Sequence, residues 1–248
     1  MNEKSINSRE SWVKNITHIK GFDTFVTTHY EEAVKWLKEA IESGGYETVH
    51  MPAHVAADSF PYKLEELNEY DCIILSDIGS NTFLLSNSTF IDCNSNPDRL
   101  ELIKEYVNNG GALIMVGGYM SFTGVDAKAR FGETAIKDVL PITMIDKDDR
   151  VEKPAGIIPE VIDSEHPVLK GIPTEWPKFL GYNKTVARDN CPVLATIGGE
   201  PFVAVGEFGK GKSAIFSSDC APHWGPKEFT DWKYYNKLWV NMLDWLTC

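Results

Sequence analysis

The chain has 248 residues, 43% hydrophobic and 24% charged, the balance of a folded globular protein rather than a disordered or fibrous one. Its 36 acidic against 24 basic residues leave a net charge of -12 with no acidic tail, which argues against a nucleic-acid or anionic-membrane partner. No apolar run approaches the roughly 18–20 residues a bilayer needs, the first ten residues hold no signal-peptide core, and five cysteines without a C-x-x-C pair fit a reduced cytoplasmic compartment.

Tyr30–Ser43 places Ala33, Val34, Leu37, Ala40 and Ile41 at three-four spacing, which predicts a helix ended by Gly44-Gly45. Short strands are expected at Glu47–Met51, at Asp71–Asp77 and at Ala112–Val116. Between the last two, Pro97–Asn109 predicts a helix with Asn96 as cap and Leu100, Ile103 and Val107 facing inward. Such alternation means a mostly parallel sheet covered on both faces. The second half changes character: Ile157–Ile162, Val193–Ile197, Phe202–Val205 and Ser213–Ser217 are short β segments set between Gly/Pro turns. A last helix is expected over Asp231–Leu246, its stripe of Trp232, Tyr235, Leu238, Trp239, Met242 and Trp245 facing the core. With no linker and no internal repeat, one α/β domain over residues 1–248 is the reading.

Two motif matches fail on context. Gly206–Ser213 spells G-x-x-x-x-G-K-S, but a phosphate loop must open a helix, and here a strand pattern comes next, with Pro222 and Pro226 beyond it. A β-hairpin turn is expected instead. His50 and His54 are separated by Pro52, which prevents the helix that would align them, so no metal site is expected.

Polar segments, the first two glycine-bearing, succeed three of the expected strands: Ser76-Asp-Ile-Gly-Ser-Asn-Thr82, Gly117-Gly-Tyr-Met-Ser121 and Ser217-Ser-Asp-Cys-Ala-Pro-His-Trp224. Ligands in open parallel sheets bind beyond the carboxyl ends of the strands. Asp77, Tyr119 and His223 are therefore expected to line one cavity, with Asp219 a further candidate acid/base partner. The plainer alternatives are that Asp77 and Asp219 cap their own turns and that His223 is structural. Cys220 is a candidate nucleophile, although a buried inert thiol is the commoner fate at a strand end.

The same segments, with Glu10-Ser-Trp12, Gly21-Phe-Asp-Thr-Phe25 and Leu180-Gly-Tyr-Asn183, resemble a glutamine amidotransferase-like family of the class I glutamine amidotransferase-like superfamily, distantly akin to ThuA-like proteins. The resemblance runs along nearly the whole chain. It implies a flavodoxin-like three-layer α/β/α sandwich, with Lys4–Arg9, although polar, as the first parallel strand and the Glu10–Trp12 turn at the same edge. It also adds Ser11, Trp12, Gly79, Asn81, Gly118, Tyr182, Asn183 and Trp224 as candidate ligand contacts. Working class I amidotransferases place a cysteine at the strand-to-turn elbow, activated by a histidine that a carboxylate two residues later orients. Here the elbow position holds Tyr119, and Gly225 stands two residues after His223. A phenol with a pKa near 10 is a poor nucleophile at neutral pH. Glutaminase activity is therefore expected to be absent. The expectation is a site for a small polar, sugar-like metabolite, without cofactor, metal, nucleic acid or membrane. The alternative is a non-catalytic sensing or docking module, and assembly of like subunits is compatible with either.

Overall fold

The computed structural model describes residues 33–248 in full and, before them, the backbone of three strands. The strands are β1 (Lys4–Arg9), β2 (Trp12–Lys20), β3 (Asp23–Glu31), β4 (Glu47–Pro52), β5 (Cys72–Ser76), β6 (Ala112–Val116) and β7 (Ile142–Met144), then β8 (Arg150–Ile157), β9 (Glu160–Val161), β10 (Phe179–Asn183), β11 (Thr185–Ala187), β12 (Val193–Ile197), β13 (Glu200–Phe208) and β14 (Gly211–Phe216). The helices are α1 (Lys35–Ser43), α2 (Ala53–Ser59), α3 (Leu64–Leu67), α4 (Ser80–Leu84), α5 (Asn87–Phe90), α6 (Arg99–Asn108), α7 (Lys227–Thr230) and α8 (Tyr235–Leu246).

Eight strands form the main sheet in the order β4-β1-β5-β6-β14-β13-β12-β9. From β4 to β14 every pairing is parallel, and from β13 outward the pairings are antiparallel. The polar β1 does take the expected place, parallel between β4 and β5. The central strands alternate into two cores, as a sheet buried on both faces must. Ile74, Ile114 and Phe216 pack with α1 and α8 on one face, and Ile73, Leu113 and Ile215 pack with α6 on the other. The result is a mixed-sheet α/β/α arrangement of the flavodoxin-like kind. Among the described residues, no helix is long and apolar enough to cross a membrane.

Several boundaries differ from the sequence reading. The first helix begins at Lys35, because Tyr30 and Glu31 are paired in the β2–β3 ribbon. Helix α6 is capped by Asp98, whose Oδ1 accepts from the amides of Leu100 and Glu101 at 2.9 and 3.3 Å. Asn96 instead donates to Ser88 and Thr89. The expected terminal helix begins only at Tyr235, as α8, with Trp232 in the turn between it and the short α7. Lys212–Phe216 is a strand paired with both β13 and β6, so Gly209-Lys210 is a hairpin tip and the phosphate-loop match is void. His50 lies in β4 and His54 in α2, and no group of three potential metal ligands occurs among the described residues.

Candidate functional site

Strands β5, β6 and β14 are neighbours and run the same way, so their carboxyl ends deliver Asp77, Gly117–Ser121 and Ser217–Trp224 to one edge. Asp77 leaves β5 in the left-handed region, with φ 51°, and is fully buried. Its neighbours fix that conformation: its amide donates to Ser121 Oγ at 3.0 Å, and its Oδ1 accepts from the Met120 amide at 2.8 Å. Asp77 itself makes the turn, and Gly79, with φ −84°, keeps an ordinary backbone. Gly118 has φ 150°, and a Cβ there would stand 2.6 Å from Asp77 Oδ1. Glycine at 118 is thus required twice, by conformation and by the carboxylate beside it.

Asn183, at the end of β10, locks this turn. Its Oδ1 accepts from the Gly118 amide at 2.9 Å, and its Nδ2 donates to the Gly118 carbonyl at 3.0 Å and to Asp149 Oδ1 at 2.8 Å. Asp149 is buried and also accepts from the Thr123 amide at 2.8 Å. Burial outweighs these bonds and pushes its pKa up to about 6.

Beyond the turn, the Tyr119 ring stands edge-on to the His223 imidazole, centroids 4.5 Å apart. Trp224 lies 5.4 Å from Tyr119 and stacks at 5.6 Å on His223. The Trp224 indole is seated against Gly181, where any side chain would collide with it. Glu152, on β8, ties the group together: Tyr119 Oη donates to its Oε1 at 2.8 Å and Trp224 Nε1 to its Oε2 at 3.0 Å. His223 Nδ1 faces the buried Asp219 Oδ2 at 3.6 Å, an ion-pair distance rather than a hydrogen bond. Asp219 Oδ1 accepts from the Ala221 amide at 3.1 Å. Partial burial pulls the His223 pKa down, but contact with Asp219 and the charges of Asp77 and Glu152 outweigh it, leaving the imidazole above its ordinary value. The Tyr119 phenol is held above its usual range, first by burial and then by Glu152.

The structure therefore brings Asp77, Tyr119, Asp219, His223, Gly118, Asn183 and Trp224 to one place. Others fall elsewhere. Tyr182, alternating with Asn183 on β10, donates to Glu200 Oε2 at 2.9 Å on β13. Asn81 is exposed on α4, where its carbonyl accepts from the Leu85 amide. Cys220 is fully buried, its Sγ 3.6 Å from Ser76 Oγ. Ser11 and the side chain of Trp12, with the Glu10–Trp12 turn, lie outside the described residues. Sequence reasoning missed Glu152 and Asp149. Glu152 lies on β8 and Asp149 just before it, outside the main sheet, and no spacing ties them to His223. Nor does position 119 have an elbow's backbone: Tyr119 is not in the left-handed region, and the chain runs on into a 3-10 turn at Val125–Ala127 rather than a helix.

A mixed sheet of this order, with a histidine, two carboxylates and two aromatic rings at the carboxyl ends of its parallel strands, is an α/β protein of the amidotransferase-like class. The chain belongs to the family described as Putative glutamine amidotransferase, which matches residues 6–248. Its fold is similar to that of cytoplasmic protein STM3548 from Salmonella typhimurium (48% identity, 98% of both chains covered, TM-score 0.94). It is equally similar to cytoplasmic protein STM1381 from Salmonella typhimurium LT2 (45% identity, 98% of this chain and 99% of that one, TM-score 0.94). A ThuA-like protein from Bacteroides uniformis shares the fold at 16% identity, over 98% of this chain and 91% of that one, with TM-score 0.61. No curated protein matches.

Proposed function

We propose that the His223 edge binds a small polyhydroxylated, sugar-like metabolite and that His223 acts there as acid/base. The observation that carries this reading is an exposed imidazole backed by a buried carboxylate, Nδ1 to Asp219 Oδ2 at 3.6 Å, and walled by two aromatic rings that Glu152 joins. Carboxylates accept hydrogen bonds from hydroxyl groups, and aromatic faces pack against the C–H faces of a sugar ring. With Nδ1 turned to Asp219, Nε2 is the nitrogen that exchanges a proton with the ligand, and Asp219 stabilises the imidazolium that results. The two Salmonella relatives are named cytoplasmic proteins, which supports an intracellular ligand.

Glutamine hydrolysis is not the expected chemistry. The elbow position holds a phenol held above its usual pKa range, and the Cys220 thiol is buried beside Ser76. The test has two arms. Calorimetric titration with a panel of monosaccharides and polyols should give saturable binding that His223→Ala and Glu152→Ala weaken, and ammonia release from glutamine should stay at background. Binding without turnover of any panel compound would favour the sensing alternative. Glutamine hydrolysis lost in Cys220→Ala, or sugar binding indifferent to both variants, would overturn the reading.

A further inference from the structure

A concave site lies at the other edge of the sheet, where β14 begins rather than where it ends. It encloses about 630 Å³, within the range of small-molecule sites, between the start of β14, the segment at 167–171 and the last turns of α8. Its lining includes Lys170, Lys212, Lys237, Asn241, Asp244 and Trp245. Three ammonium groups at one cavity are unexpected in a chain of net charge -12, because each disfavours the others at close range.

The fold accounts for only one of them. Lys212 Nζ donates to the main-chain oxygens of Trp245 and Cys248, both at 3.0 Å, and lies 5.0 Å from the Trp245 ring centroid. Lys237 reaches across the cleft, its Nζ 2.5 Å from where a Cβ on Gly171 would stand. Lys170 is exposed on the facing segment. Among the described residues, neither Lys170 nor Lys237 has a carboxylate within ion-pair distance. The one acidic side chain in the lining, Asp244, is engaged from the other side by the Tyr46 hydroxyl at 2.6 Å. Asn241 Nδ2 donates to the carbonyls of Val168 and Lys170, which fixes the segment carrying Lys170 against α8, the helix that carries Lys237.

From this convergence we propose that the cavity binds a phosphate-bearing small molecule, with Lys170 and Lys237 clamping the phosphate and Trp245 forming the wall behind it. A multiply charged phosphate fits better than a single carboxylate, because two point-charge donors from two elements line the same cavity. The site is separate from the His223 edge and does not depend on how that edge is read.

The test uses the full chain and inorganic pyrophosphate and phosphate as probes. Trp245 fluorescence and titration calorimetry should show saturable binding at constant ionic strength, stronger for pyrophosphate. Lys237→Gln or Lys170→Gln should each weaken it roughly tenfold, the equivalent of about 1.4 kcal/mol, whereas Lys63→Gln on an exposed segment elsewhere should not. The melting temperature of each variant without probe should match that of the parent, since neither lysine supports the fold. An equal response to chloride at matched ionic strength, or pyrophosphate binding that survives the double Lys170/Lys237 replacement, would overturn the proposal.

Discussion

Replacing Asn183 by alanine should expose how much of the edge depends on one amide. Its side chain makes two neutral hydrogen bonds to Gly118 and one to the Asp149 carboxylate. Neutral bonds contribute about 1 kcal/mol each and a bond to a charged group about 2, so Asn183→Ala should cost about 4 kcal/mol. In a chain of this size that lowers the melting temperature by about 8–16 °C. Urea denaturation should show a lower midpoint at unchanged slope, because the surface exposed on unfolding stays the same. Asn183→Asp sharpens the test. At neutral pH it sets a second carboxylate against Asp149 and against the Gly118 carbonyl, so it should be worse than alanine. Acidification to about pH 5 should recover part of that loss, since Asp149 takes up a proton near pH 6. A loss below about 1 kcal/mol for Asn183→Ala would refute the argument that this amide holds the Gly118 turn.

Three further outcomes are expected. Asp149 is raised to about 6 by burial, so its contribution to stability is full below its unfolded value near 4 and is lost as pH rises through 6; Asp149→Asn should flatten the stability profile across that window by about 2–3 kcal/mol in urea titrations. For His223, an imidazole proton titration by NMR should give a midpoint above the ordinary value; it should fall in Glu152→Gln and in Asp219→Asn, and an unmoved midpoint in both would contradict the carboxylate account. Arg99 is fully buried and donates to the carbonyls of Phe83, Thr82 and Ala56 at 2.7, 2.9 and 3.1 Å, so Arg99→Met, which leaves three acceptors unmet, should cost at least about 3 kcal/mol by calorimetry, and Arg99→Lys should recover only part.

What the sequence disclosed was the periodic part of the molecule. Strands β5, β6 and β14 announce themselves by apolar runs ending in glycine or polar turns, and the shared-edge rule then gathers Asp77, Tyr119 and His223 without coordinates. The hairpin at Gly209-Lys210 was legible because a phosphate loop demands a helix that Pro222 and Pro226 deny. The β2–β3 ribbon was not, since Thr24–His29 lacks the alternation that marks a half-buried strand. Glu152 escaped for a different reason. It reaches the site through the pairing of β8 with β10, residues some 30 positions apart, and such long-range pairing leaves no local period to read. Asp98 rather than Asn96 as the α6 cap is a shift of two residues that only hydrogen bonds decide.

The strand order has a consequence for how the chain is made. β14 sits between β6 and β13, so the middle of the sheet stays open until residue 216 has been synthesised, 100 residues after β6 ends at 116. At translation rates of about 5–20 residues per second, β6 waits roughly 5–20 seconds with one edge unpaired. Its sequence, Ala-Leu-Ile-Met-Val, is apolar throughout, the kind of exposed edge that recruits another strand. Ribosome-bound chains halted before Ser213 should therefore be captured by holdase chaperones or aggregate, while those extended past Trp224 should escape both. In this fold the His223 edge exists only once the sheet is closed.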